Sequence, residues 1–135
     1  MRILSRAPCR IGFMGGGTDL PEFSSKYGGF CLNMAINIKQ EMEMVNPKVT
    51  NTRYTREDFI SQILEDMGEG GWGIKQSFDG IITGGIGSSA AAAVALVGGI
   101  NKARDLGMSR ASIAERAWDI EVNGQGLYGG RQDQY

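Results

Sequence analysis

The segment Thr83-Gly84-Gly85-Ile86-Gly87-Ser88-Ser89-Ala90 joins an apolar run to an Ala-rich stretch that continues to Leu106. The alanines of that stretch predict a helix, and Gly107 predicts where it ends. The glycines before the helix let the backbone approach a ligand closely, while unpaired amides and the positive end of the helix dipole favour an anion. The segment therefore fits a phosphate-binding loop.

The same segment also fits a purely structural turn. In that interpretation Ser88 caps an Ala-rich helix that needs small residues for close packing. No Lys follows the glycines, so the segment is not a Walker A loop. The glycine pattern alone leaves both interpretations open.

Outward from this segment, strand and helix patterns are mixed without a regular repeat. Apolar residues at alternate positions indicate strands, and apolar residues at helical spacing indicate helices. We expect an α+β fold, with a mixed sheet packed against helices, rather than a βαβ series. The predicted elements are a strand, or two strands in series, from Phe30 to Met44, a helix from the Thr55–Asp58 capping box to Gly68, a strand from Trp72 to Ile82 with an irregularity at Asp79-Gly80, the helix from Ser88 to Leu106, and a helix from Ser109 to about Val122.

Composition limits the chemistry that the chain can perform. Its 135 residues are 41% hydrophobic and 21% charged, as in an ordinary globular domain. The formal net charge is −1 and the cationic residues are scattered, so we expect no nucleic-acid partner. The chain has no histidine, which excludes Ser-His-Asp and Cys-His catalysis and the usual zinc sites.

The sequence also predicts a cytoplasmic protein without a membrane partner. Arg6 and Arg10 interrupt the apolar run at the N-terminus, unlike a signal peptide. The apolar stretch from Ala90 to Ile100 is far shorter than the roughly 20 residues that span a bilayer. Cys9 and Cys31 form no CxxC pair, so we expect two reduced, structural thiols.

Glu121 has the most informative position among the carboxylates. A carboxylate that faces a core needs a cation or a set of hydrogen-bond donors. The alternatives are that Glu121, in the last turn of its helix, reaches out to solvent or pairs with an arginine. On a helical wheel of about 100° per residue, Glu121 falls inside an apolar arc made of Ile113, Ala114, Ala117, Trp118 and Ile120.

Near the N-terminus, Arg10 precedes the glycine-rich run from Gly15 to Pro21. Within that run, Thr18 and Asp19 have side chains suited to hydrogen bonding with sugar hydroxyls. Asp19 fits a second role almost as well, because it is a favourable cap for a short helix from Pro21 to Lys26.

At the other end, Asp133 lies in the polar tail from Gly129 to Tyr135. Taken alone, this tail fits a solvated loop. Together with the anion-binding loop, the inward Glu121 and the polar N-terminal turn, it is suggestive of phosphoryl transfer.

Three separated segments, in the same order, resemble the GHMP kinases, a family that includes galactokinase, mevalonate kinase and homoserine kinase. Arg6 to Pro21 is similar to the family's N-terminal motif, in the GGGTDLP form of D-glycero-D-manno-heptose 7-phosphate kinases. Gly85 to Ala91 resembles the GLGSSAA phosphate loop. Glu121 to Tyr135 resembles the stretch in which a magnesium-binding Glu precedes a GxxDQY segment with the catalytic Asp.

For the nucleotide, the resemblance implies two cofactors, ATP and Mg²⁺. Ser89 and Glu121 would hold Mg²⁺, which is the cationic partner that an inward carboxylate needs. The ATP phosphates would be bound by the backbone amides of the loop, which comprises Gly84, Gly85, Gly87, Ser88, Ser89 and Ala90.

For the phosphate acceptor, the resemblance implies that Asp133 takes the proton of the attacking hydroxyl. Arg10 would lie beside Asp133 and favour its ionised form. Thr18 and Asp19 would orient the sugar.

The resemblance thus implies an ATP-dependent kinase that phosphorylates a sugar or sugar phosphate, at the anomeric hydroxyl of a heptose 7-phosphate. It covers nearly the whole chain but only the first half of a family protein, so we expect residues 1–135 to be the N-terminal, ATP-binding domain, with the C-terminal domain absent. The alternative is a truncated, non-catalytic domain that binds a nucleotide or sugar phosphate or acts in assembly. Either way, self-association or a partner chain would complete the fold.

Overall fold

The computed structural model describes residues 1–46, 57–78, 85–124, 126 and 128–135. These residues form one antiparallel sheet, in the order β1-β2-β3, with helices packed on it. The α+β class predicted from the sequence is confirmed. Along the chain the elements are β1 (Arg2–Met14), α1 (Pro21–Tyr27), β2 (Leu32–Val45), α2 (Glu57–Asp66), β3 (Gly73–Phe78), α3 (Ser88–Arg104), α4 (Arg110–Asp119) and a π-helical turn (Ile120–Gly124).

The long β1–β2 pair forms the frame of the sheet. Ile3 pairs with Met44 and Ala7 with Gln40, and the register shifts between Pro8 and Arg10, so that Arg10 pairs with Ala35. Such a shift bends the strands and redirects side chains. It lies where β1 leaves the helix layer and approaches the glycine-rich loop, since the Arg10 amide donates to the Ile86 carbonyl at 2.9 Å.

The alternating pattern of β2 is only partly reflected in its burial. Met42 and Met44 are completely buried, as predicted, but Met34 is 53% exposed. The difference arises because α3 begins at Ser88, beside Arg10 and its partner Ala35. The β2 residues that precede Ala35 lie past the start of the helix, so α3 does not cover them. Gln40, the polar exception in the pattern, is buried and its amide oxygen accepts a hydrogen bond from Gln76 Nε2 at 2.9 Å.

Helix α3 covers the inner face of the sheet and contacts α2 and α4 as well. Its small side chains permit this close approach, because a Cβ atom on Gly99 would lie 2.5 Å from the Met44 sulfur. The helix ends at Arg104, earlier than the predicted Leu106. Asp105 adopts the left-handed conformation (φ 51°) that terminates it, a conformation that Asp tolerates better than most residues.

The two flanking helices close the core. In α2 the apolar side chains face inward as predicted, and Gly68 (φ 71°) follows the helix end. Thr55 and the segment from Asp79 to Ile82 lie outside the described residues. Ser109 caps α4 as predicted, accepting a hydrogen bond from the Ser112 amide at 3.1 Å. The largest completely buried side chains are Met42, Met44, Ile60, Ile63, Ile74, Leu96, Ile100, Ile120, Val97 and Cys9.

None of the helices in the described part of the chain combines the length and hydrophobicity required to cross a bilayer.

Candidate active site at the start of helix α3

The glycine-rich loop leads directly into the first turn of α3. Gly85 (φ 58°) and Gly87 (φ 67°) both have left-handed backbones that favour glycine. Gly87 is the N-cap residue and provides no side-chain acceptor, so the structural interpretation in which Ser88 caps the helix is wrong. The first amides of α3 are therefore available to an anion. Gly84 lies outside the described residues.

Arg10 connects this loop to the C-terminal tail. Its Nη1 donates to the Gly85 carbonyl at 2.8 Å, and its Nε donates to Asp133 Oδ1 at 2.8 Å. Nη2 donates to the same Asp133 oxygen. Gly87 lies against this pair, since an added Cβ would lie 3.4 Å from Arg10 Cγ and 3.5 Å from Asp133 Cγ. Segments far apart in sequence thus bring a cation, a carboxylate and the loop together.

Glu121 is buried, with 6% of its surface exposed, as the helical wheel predicted. The alternative that it reaches out to solvent is wrong. It lies in the π-helical turn after α4, a type of irregularity that is frequent at functional sites. Ser89 Oγ donates to its Oε1 at 3.4 Å, and Gln134 Nε2 donates to its Oε2 at 2.6 Å.

Among the open clefts that adjoin these residues, two meet at Arg10 and Asp133. The first has a volume of about 400 Å³ and is lined by the loop and first turn of α3 together with Glu121, Asp133 and Gln134. The second has a volume of about 580 Å³ and is lined by the end of β1, Gly15, Gly16 and Gln132. Gly85 and Ile86 line both clefts. Asp133 lines the first and Arg10 the second, so their ion pair lies where the two meet.

Asp19 holds the C-terminal tail in place. Its Oδ2 accepts from the Gln132 amide at 3.0 Å and its Oδ1 from the Gly17 amide at 3.3 Å. A side chain at Gly130 would clash with the Asp19 carboxylate. The N-cap residue of α1 is Leu20, so the interpretation of Asp19 as a helix cap is wrong.

Thr18 is engaged with the backbone of its own turn. Its hydroxyl donates to the carbonyl of Gly15 at 2.8 Å or of Phe30 at 2.9 Å, and it accepts from the Phe30 amide at 3.1 Å. Cys31 lies beside this turn, and partial burial, followed by the charge of Asp19, raises the pKa of its thiol. The sugar-binding roles of Thr18 and Asp19 stay predictions.

The tail that carries Asp133 is anchored, so the solvated-loop interpretation is wrong. Trp118 Nε1 donates to the Gly129 carbonyl at 3.1 Å, and the Arg131 guanidinium lies 3.7 Å from the centre of the Trp118 ring. Glu115 accepts hydrogen bonds from Arg131 Nε at 2.9 Å and from the Tyr135 hydroxyl at 2.8 Å. Desolvation raises the pKa of Glu115, but these two hydrogen bonds outweigh it, so the net pKa is below its usual value.

Gln134 is the site residue that sequence reasoning missed. Its contact with Glu121 depends on the turn between them, and its position next to Asp133 is the only signal in the sequence. No group of three or more His, Cys, Asp or Glu side chains is arranged as a metal site within the described ranges. Mg²⁺ does not require one, because it is usually bound by one or two carboxylates together with substrate phosphates and water. The Glu121 carboxylate, with the Ser89 hydroxyl beside it, fits that requirement.

Comparison with known proteins yields a family match over more than half of the chain. Residues 57–135 match the family model described as the GHMP kinases N terminal domain. The chain is also 26% identical, over 159 aligned positions, to D-glycero-alpha-D-manno-heptose 7-phosphate kinase of Campylobacter jejuni. That alignment covers 98% of this chain and 47% of the relative.

Solved structures share the fold. A D-glycero-D-manno-heptose 1-phosphate kinase from Bacteriodes thetaiotaomicron superposes with a TM-score of 0.82 at 24% identity, over 100% of this chain and 52% of that one. Lactococcus lactis galactokinase in complex with galactose superposes with a TM-score of 0.68 at 14% identity, over 98% and 40%. At these identities the likeness establishes the fold alone. The chain spans about half the length of the relatives that it matches.

Proposed function

The chain belongs to the GHMP kinase family, and on that premise we propose that it transfers the γ-phosphate of ATP to a hydroxyl of a sugar or sugar phosphate. Residues 1–135 would form the N-terminal, ATP-binding part of such a kinase. The proposed location is the cytoplasm, where ATP and sugar phosphates are available.

The observation that carries this proposal is the position of the Arg10–Asp133 pair between two clefts. One cleft is lined by backbone amides and by the hydroxyl and carboxylate of Ser89 and Glu121, a set suited to a polyphosphate with its cation. A hydroxyl in the second cleft would meet the end of that polyphosphate at Asp133. Phosphoryl transfer requires this in-line meeting of two ligands.

Asp133 would act as the general base. Both hydrogen bonds from Arg10 reach Oδ1, which leaves Oδ2 to accept the proton of the attacking hydroxyl. As the hydroxyl oxygen bonds to the γ-phosphorus, the bond from that phosphorus to the β,γ-bridging oxygen breaks and ADP departs. Arg10 fixes the orientation of the carboxylate and ties it to the Gly85 carbonyl.

The start of α3 would bind the phosphates through the backbone amides from Gly85 to Ala90 and the positive end of the helix dipole. Ser89 and Glu121 would hold Mg²⁺, and Gly84 would extend the loop. When bound, Mg²⁺ neutralises the charge of the phosphate oxygens. The chain's own contribution is to position the donor and exclude other geometries.

For the acceptor, we favour the anomeric hydroxyl of a heptose 7-phosphate. The GGGTDLP sequence supports this choice, as does the similarity to a kinase named for that substrate. The second cleft would take the sugar, with Gln132 and the Gly15–Gly16 backbone at its wall. Thr18 and Asp19 would orient the sugar from the adjoining turn.

The experiment is an assay of ATP-dependent sugar 1-phosphate formation, with a seven-carbon sugar 7-phosphate as the first acceptor and galactose and fucose as controls. Asp133→Asn keeps the shape of the side chain and removes the base. We expect turnover to fall by about 10²-fold or more, with nucleotide affinity nearly unchanged. Asp105→Asn is the matched control, because Asn also tolerates the left-handed backbone at that exposed position.

Full activity in Asp133→Asn would refute the base assignment. A parent chain that is inactive on every sugar would favour a second candidate, a non-catalytic domain that binds a nucleotide or sugar phosphate or pairs with another chain. The observation in favour of that candidate is the apolar surface at the end of β1 and the beginning of β2, where Phe13 is 57% exposed and Met34 is 53% exposed. Such a surface is often covered by another chain or domain.

A further inference from the structure

Gln134 places its side-chain amide against the buried carboxylate of Glu121. Nε2 lies 2.6 Å from Glu121 Oε2. An ionised carboxylate can only accept hydrogen bonds, so the amide nitrogen, not the oxygen, must face it. This contact fixes the orientation of the amide and directs its oxygen elsewhere.

The amide oxygen of Gln134 is left without a partner. Within the described residues, Oε1 is the one buried side-chain nitrogen or oxygen atom that makes no hydrogen bond. An unsatisfied buried acceptor costs about 1–3 kcal/mol, so a folded protein rarely retains one without a reason. Gln134 lines the cleft of Ser89, Glu121 and Asp133 and also a neighbouring cleft with Asp133 and Tyr135. Its bond to Glu121, which lines only the first of these, makes a ligand of that cleft the candidate partner.

We propose that Gln134 is a third member of the cation site, and this inference rests on the proposed function. Its N–H group holds Glu121 in position, and its oxygen joins the oxygen shell of the Mg²⁺ that arrives with the nucleotide. Amide oxygens are suitable ligands for hard cations, either directly or through a bound water. The cation then satisfies the acceptor that the chain leaves unpaired.

Gln134 would link the cation to the base. Gln134 directly follows Asp133. The backbone N–H of Gln134 donates to the Arg131 carbonyl at 3.2 Å across a turn. A cation held by Gln134 would therefore stabilise the backbone of the residue that takes the proton. Binding of the nucleotide with its cation would therefore also fix the orientation of Asp133.

Calorimetry of ADP binding with and without Mg²⁺ tests the inference on the intact chain. Gln134→Met has similar length but no amide, and we expect the increase in affinity produced by Mg²⁺ to fall by about 10-fold, the lower end of the range for groups that support a metal site. Affinity for ADP alone should be unchanged. Gln62→Met is the matched control, since Gln62 lies on α2 and lines neither of the two clefts.

A second variant separates cation binding from simple support of the fold. Gln134→Glu retains an oxygen and adds charge, so it should keep the Mg²⁺ effect within about threefold of the parent or strengthen it. The same variant loses the donor to Glu121 and places two carboxylates together, so its unfolding free energy without ligand should fall. A purely structural role predicts losses of stability in both variants with the Mg²⁺ effect unchanged in each.

An Mg²⁺ effect in Gln134→Met within about twofold of the parent, a factor well below the expected loss, would overturn the inference and leave the proposed function standing. If that variant does not fold, Gln134→Glu decides, and loss of its Mg²⁺ effect overturns the inference. A parent chain that binds ADP no better with Mg²⁺ than without it would overturn both the inference and the cation site of the proposed function.

Discussion

The two ends of α3 each hold a buried glutamate, and the two glutamates have different surroundings. At the C-terminal end, Glu69 is 7% exposed, pairs with Arg104 and accepts from Trp72 Nε1 at 2.8 Å. At the N-terminal end, Glu121 is 6% exposed and accepts from Gln134 and Ser89. The first carboxylate is bonded to Arg104 and Trp72, while the second lines an open cleft beside a glycine-rich loop.

This difference shows that burial of a carboxylate does not by itself indicate function. Glu69 has a cation and an indole donor from the chain itself, so its contacts explain why it is tolerated in the core. The surroundings of Glu121 contain space for a ligand, a helix start that no side chain caps and an unsatisfied amide oxygen. The contacts of Glu69 are those of a structural residue, whereas the surroundings of Glu121 support the proposed role of this end of the helix in ligand binding.

The largest expected effect on stability is at Glu69. Glu69→Ala leaves the buried Trp72 indole N–H without its acceptor, whereas Arg104, with 54% of its side chain exposed, regains water readily. We expect the unfolding free energy to fall by about 2 kcal/mol. Urea denaturation measures this, and nucleotide affinity under native conditions should match the parent. Unchanged stability, or impaired nucleotide binding in folded protein, would break the comparison.

A smaller effect is expected for two glycines at the ends of α3. Gly87 (φ 67°) and Gly107 (φ 66°) both have left-handed backbones, so Ala at either should cost about 1 kcal/mol of stability. A Cβ at Gly107 meets nothing within 4 Å, whereas one at Gly87 contacts Arg10 and Asp133. Gly87→Ala alone should therefore weaken nucleotide binding and turnover. Equal functional loss in both variants, measured by calorimetry and the kinase assay, would argue against a site at Gly87.

Elements with a strong local pattern could be predicted from the sequence. The Ala-rich α3, the Ser109 cap of α4 and the inward side of Glu121 all follow from local spacing, and the structure confirms them. The predicted end of α3 was two residues too late, because Asp105, not a glycine, adopts the left-handed conformation that ends the helix.

Strand β1 was missed because its inner face carries little hydrophobic signal. That face includes Ser5, Ala7 and Cys9, which are small enough to lie beneath α3 but do not stand out as a strand pattern. The exposure of the beginning of β2 could not be predicted either, since it depends on where α3 stops covering the sheet.

The candidate site was predictable only through its family resemblance. The residues that compose it come from β1, the start of α3, the π-helical turn and the tail, and local spacing cannot place these together. The structure brings Arg10 to Asp133 and Ser89 to Glu121, although their chemical roles stay proposals. The Gln134 contact depends on the tertiary path of the tail and had no signal of its own.

The most direct test of the cleft at α3 is calorimetric titration of ADP, with and without Mg²⁺, into the parent, Glu121→Gln and Glu69→Gln. Both variants remove one negative charge and keep the side-chain shape. We expect Mg²⁺ to strengthen ADP binding in the parent and in Glu69→Gln, and Glu121→Gln to lose at least about 10-fold of that effect. If Glu121→Gln bound Mg-ADP as tightly as the parent, the assignment of this end of the helix to the cation and nucleotide would be contradicted.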